Sequence, residues 1–119
     1  MPAKWDITIC RGSSFILYFK WLDTAGAAVD LTGYTASMDI RKTKDDSDYV
    51  LSSEDGDIIL TLGDSAGTVL AEIIPAVTEA ISLIRGVYDV EVTNTATGIK
   101  TRLIEGEVTL SLDVTREDS

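Results

Sequence analysis

Apolar and polar residues alternate with a period of two along much of this chain, and that commits it to strands. Tyr34, Ala36, Met38 and Ile40 are apolar, while Thr35, Ser37, Asp39 and Arg41 beside them are polar. Alternation of this kind sends the two sets to opposite faces of a pleated strand and marks one face as buried. Val108, Leu110, Leu112 and Val114 alternate in the same way with Glu107, Thr109, Ser111 and Asp113, and Tyr88, Val90 and Val92 with Asp89, Glu91 and Thr93. Further upstream, Phe15, Leu17, Phe19 and Trp21 share one face, and Ile16, Tyr18, Lys20 and Leu22 share the other. Two apolar faces predict a strand covered on both sides or central in its sheet.

Turn signals separate the runs. Asp23-Thr24-Ala25-Gly26, Asp30-Leu31-Thr32-Gly33, Asp55-Gly56, Gly63-Asp64, Gly67 and Asn94-Thr95-Ala96-Thr97-Gly98 supply residues that hydrogen-bond locally or accept positive φ. Strands are expected near 4–10, 14–22, 33–42, 48–53, 57–62, 68–74, 86–94 and 99–115, with a bulge or bend at Glu105-Gly106. The Ala-rich segment 75–83 opens with Pro75, which suits the first turn of a short helix crossing one end of the fold.

Seven to eight short strands with frequent turns define an all-β, antiparallel sandwich or barrel. At 119 residues the chain is one domain, 1–119, and can bury roughly two-thirds of its unfolded surface in an unaided core. An immunoglobulin-like sandwich fits this size, without the antibody-type Cys–Trp–Cys pattern; a small closed barrel is the alternative.

Composition narrows the chemistry. Ten basic residues stand against 20 acidic ones, a net charge of −10, which opposes binding to nucleic-acid phosphates. The chain has no histidine, the usual general base at neutral pH and the commonest metal ligand, and its single cysteine rules out an internal disulfide. No apolar run approaches the ~20 residues of a membrane helix, and residues 1–6 lack a secretory pattern. The chain is thus expected to be non-enzymatic, without cofactor, metal, membrane or small-molecule partner, and made in a cytoplasm.

Individual clusters read plainly. Lys42, Lys44, Asp45, Asp46 and Asp48, followed by Glu54, Asp55 and Asp57, do not match a calcium-loop spacing and read as a solvated hairpin. Cys10 reads as a small packed hydrophobe, although Arg11 beside it is of the type that depresses a thiol pKa. Of the aromatic residues, Phe15, Tyr18, Phe19, Trp21, Tyr34 and Tyr88 are assigned to the core. Trp5 and Tyr49, near strand or loop ends, are the candidates for an exposed interaction surface.

Several phrases, in order, resemble small virion proteins of tailed bacteriophages. They are Ile9-Cys10-Arg11-Gly12-Ser13-Ser14-Phe15, Trp21-Leu22-Asp23-Thr24-Ala25-Gly26, Val29-Asp30-Leu31-Thr32-Gly33-Tyr34-Thr35-Ala36-Ser37-Met38 and Ile40-Arg41. Near the C-terminus come Gly86-Val87-Tyr88-Asp89-Val90-Glu91-Val92, Gly98 with Arg102-Leu103, Glu105-Gly106-Glu107-Val108 and Val114-Thr115-Arg116. The resemblance spans roughly residues 7 to 116 and is similar to the N-terminal module of baseplate upper proteins, with Gly12-Ser13 where that pattern has an acidic Gly-Asp. It implies a non-enzymatic structural protein of a phage particle, in the tail or baseplate, assembled in the host cytoplasm beside other virion proteins and as a homo-oligomer. A head-decoration protein is a close variant. A carbohydrate- or receptor-binding module using exposed aromatics is the alternative from another class.

Overall fold

The computed structural model describes residues 3–43, 50–81 and 85–111. Among them are nine strands: β1 (Ala3–Lys4), β2 (Ile7–Cys10), β3 (Phe15–Lys20), β4 (Tyr34–Arg41), β5 (Leu51–Ser52), β6 (Ile59–Leu62), β7 (Thr68–Ile73), β8 (Arg85–Asn94) and β9 (Lys100–Ser111). One helix, α1 (Pro75–Glu79), and a 3-10 turn at Asp64–Ala66 complete the elements. No helix among the described residues is long and apolar enough to cross a membrane.

The strands form two sheets. The larger runs β1-β9-β8-β4-β5, with β2 also paired to β9; the smaller runs β3-β7-β6. Pairing is antiparallel except at β9, where β1 and β2 lie parallel to it, with Ala3 opposite Ile104 and Ile7 opposite Val108. The expected antiparallel architecture therefore holds in the main and is corrected at this edge. The strand count also exceeds seven to eight, because the strand expected over 4–10 breaks at Trp5 and Asp6 into β1 and β2.

The inner faces of the sheets meet in one apolar core. Ile9, Met38, Ile40, Val90, Val92 and Val108 from the larger sheet pack with Leu17, Val69, Ala71 and Ile73 from the smaller, and all are buried. Burial follows the alternation along β7 and β8, as a strand with one buried face requires. Leu31, in the loop before β4, plugs the core from one side.

The helix is shorter than the expected 75–83, ending at Glu79. The buried Thr78 holds it in place: its hydroxyl contacts the carbonyls of Ser13 (2.8 Å) and Pro75 (3.1 Å) and accepts from the Gly12 N–H (3.0 Å). Arg11 donates to the Glu79 carbonyl at the other end (3.1 Å). One turn of helix is stable here through these contacts, not through propensity.

The bulge also moves. Gly106 stays in register opposite Tyr88, and the irregularity falls where Val90 faces Ile104 and Glu91 faces Arg102, leaving Leu103 as the extra residue. Gly106 is required for another reason: a Cβ there would overlap the Trp5 carbonyl and crowd the Asp6 carboxylate. The Tyr88 hydroxyl donates to that same Trp5 carbonyl, and the Trp5 N–H donates to the Glu105 carbonyl (2.9 Å).

Candidate functional site

The outer faces of the two sheets differ in chemistry. On the larger sheet, the bulge at Leu103 sets the pattern. Leu103 and Ile104 are both buried, so Arg102 and Glu105 both emerge on the outer face, where simple alternation would separate them. Arg102 then reaches three carboxylates: Asp89 at 3.3 Å, Glu105 at 3.4 Å and Glu91 at 3.6 Å. Asp39 stands directly across from Asp89, beside Arg41 (3.4 Å), and accepts from the buried Ser52 hydroxyl (2.8 Å). Asp39, Arg41, Asp89, Arg102 and Glu105, with Lys4 and Glu107, line an open groove of about 390 Å³.

Burial raises the Asp89 carboxyl above its ordinary pKa; Arg102 opposes that shift and neighbouring Glu91 adds to it. Asp39, Asp89, Glu91 and Glu105 each face a guanidinium, and Asp39 a hydroxyl as well. Partly exposed ion pairs of this kind contribute little to stability individually. Among the described residues no group of three or more His, Cys, Asp or Glu side chains is arranged to hold a metal ion. Lys44 to Asp48 of the charged hairpin lie outside the described residues.

The outer face of the smaller sheet is of another kind. Register places Ile16, Glu72 and Ile59 in one row across β3, β7 and β6, and Tyr18, Leu70 and Thr61 in the next. Lys20 and Thr68 form the end row on β3 and β7. Ile16 is 60 % exposed, Tyr18 63 % and Ile59 50 %, so apolar side chains stand on a solvent-facing sheet. The expected covering of both faces of β3 is overturned. β3 is an edge strand, and the second sheet covers only the face bearing Leu17. Tyr18 leaves the core list for the same reason.

The other aromatic assignments are mixed. Tyr88 is buried, and Phe15, Phe19, Trp21 and Tyr34 pack partly buried against the core, with Trp21 edge-on to Tyr34 at 6.1 Å. Trp5 projects from the β1–β2 break, 61 % exposed. Tyr49 lies outside the described residues. Cys10 is half-buried on β2 opposite Ser111, while the Arg11 guanidinium is engaged by the Glu79 carbonyl.

The loops are internally ordered. Asp23 accepts from the N–H groups of Ala25 and Ala27, Asp30 from that of Thr32, and Asn94 from those of Ala96 and Thr97. Hydrogen bonds from Thr32 hold the Asp30 carboxyl below its ordinary pKa. These are turn-forming contacts that leave the loop tips exposed.

No family model matches this chain, and no curated protein matches it in sequence.

Proposed function

We propose that this chain is a non-enzymatic assembly module with an immunoglobulin-like sandwich, acting as a structural or adaptor component of a bacteriophage particle, in its tail or baseplate. The topology supports the fold reading. A three-stranded sheet β3-β7-β6 facing β9-β8-β4-β5 is in keeping with the strand order of that sandwich class, apart from the first strands, which lie parallel on β9.

The observation that carries the contact role is the apolar outer face of the smaller sheet. Ile16, Tyr18 and Ile59 stand exposed on that face around Glu72, and apolar side chains grouped on one solvent-facing sheet are what a covering partner would bury. Repetition of one such contact around a symmetric particle turns a modest affinity into a stable assembly.

The test is the chain's copy number in purified particles from the host–phage system that encodes it, measured by quantitative mass spectrometry. A fixed copy number set by particle symmetry supports the reading. Absence from particles that are otherwise intact overturns it.

A further inference from the structure

We infer that the partner covering the smaller sheet is a second copy of this chain, related by a two-fold axis passing between the two faces near Tyr18 and Leu70. The inference rests on the contact role proposed above and names the occupant of that face.

Its basis is how charge is placed on the patch. The described outer-facing residues of β3, β7 and β6 include one cation and one anion, Lys20 and Glu72, on a chain whose net charge is −10. The patch is therefore locally neutral, and two acidic copies can approach through it without direct repulsion. Among the described residues neither charge has an ion-pair partner. The two also sit at opposite ends of the patch. Glu72 pairs in register with Ile16, and Lys20 lies four positions along the same strand from Ile16.

That placement is self-complementary. At about 3.3 Å per residue, the two charges are separated by roughly 13 Å along the strands and by one interstrand spacing of about 5 Å across them. An in-plane two-fold axis through the midpoint of that diagonal carries Lys20 of one copy over Glu72 of the other, and Glu72 over Lys20. The same operation brings the Tyr18 and Leu70 regions of the two copies together at the centre. The diagonal tilts the axis away from the perpendicular to the strands. The two small sheets then cross obliquely, as packed sheets with aligned strands do. Both contacts are made twice, as an isologous interface requires. A hydrophobic centre flanked by two ion pairs is the result.

Reciprocal charge exchange tests this. Sedimentation equilibrium is run on the wild-type chain, on Lys20→Glu, on Glu72→Lys and on an equimolar mixture of the two variants. Circular dichroism confirms that each is folded, as expected for substitutions on an outward face. The wild type is expected to dimerise. Each variant alone places like charges at both contacts and weakens self-association at least about tenfold. The mixture restores both ion pairs and forms a one-to-one heterodimer. A wild type that stays monomeric at every concentration overturns the inference, as does a dimer indifferent to both exchanges.

Tyr18→Lys separates this inference from the reading beneath it. If the wild type is monomeric and Tyr18→Lys still abolishes incorporation into particles, the face contacts a different virion protein and only the two-fold pair is lost. If incorporation is unchanged by Tyr18→Lys, the contact role of this face is lost as well.

Discussion

The Tyr88 hydroxyl donates to the main-chain carbonyl of Trp5, a residue 83 positions earlier, and so ties the centre of the larger sheet to the break between β1 and β2. Tyr88 is otherwise buried, so the hydroxyl has this carbonyl where water would be.

Tyr88→Phe keeps the ring and deletes the bond. It is expected to cost about 1–2 kcal/mol in urea denaturation, because the Trp5 carbonyl loses its donor. The pH dependence gives a second signature. Burial, and then the Asp6 carboxylate, push the Tyr88 phenol up from 10.0 to about 12. The folded state holds this proton more tightly than the unfolded state. The stabilisation is complete below pH 10 and is lost as pH rises from 10 towards 12. The stability gap between wild type and Tyr88→Phe should therefore narrow across that window; a constant gap would contradict the assignment.

Thr78→Val preserves shape and volume at the one turn of α1. It removes the hydroxyl that contacts Ser13 and leaves the Gly12 N–H without its acceptor. A loss of about 1–3 kcal/mol is expected, with Thr78→Ser retaining most of the stability. A loss in Thr78→Ser with none in Thr78→Val would mean that the methyl group, not the hydroxyl, matters at this site.

Gly106→Ala tests the close approach of the first strands. Its methyl group would occupy the position of the Trp5 carbonyl, so β1 must lift from β9. The expected cost is about 1–3 kcal/mol, concentrated at one edge. Hydrogen exchange should show the Trp5 amide deprotected while the β4–β8 ladder stays protected. Uniform deprotection would instead indicate that this edge and the core open as one unit.

Asp89→Asn probes the charged groove. Burial holds the native Asp89 carboxyl above its ordinary pKa, so the folded state binds this proton more tightly than the unfolded state. The contribution of Asp89 to stability falls as pH rises above the ordinary carboxyl value of 3.8. Asp89→Asn should gain on wild type between pH 4 and pH 7. At neutral pH it should cost less than about 1 kcal/mol, since Arg102 retains Glu91 and Glu105. Urea melts at the two pH values read the sign directly, and a growing deficit at pH 7 would show that the pairing with Arg102 outweighs burial.

The strands were legible because their cause is local. The alternation at Tyr34–Arg41 and along β8 needs only residues two apart, and the turn residues between strands carry their own backbone preferences. The outer face of β3 was not legible. Alternation sorts Ile16 and Tyr18 from Leu17 and Phe19 but does not say whether anything covers either set. The Arg102 cluster was hidden for a different reason. Its partners come from β8 as well as β9, and they converge only because Leu103 shifts the register. Gly106 did announce a backbone peculiarity. Sequence read it as a bulge, whereas the cause is a chain segment about a hundred residues away. Trp5, a candidate for exposure because it lies near a strand end with polar neighbours on both sides, is exposed at the break between β1 and β2.

The parallel pairing of β2 with β9 has a consequence in time. Ile7 leaves the ribosome about a hundred residues ahead of its partner Val108. At roughly 5–20 residues per second, β2 waits for at least several seconds with no ladder to join. Contacts this distant in sequence also make closure slow, since the loop must be ordered before the pairing rewards it. β8 can meet β4 before β9 exists, so the sheet can grow from its middle, with β2 docking only once β9 is made.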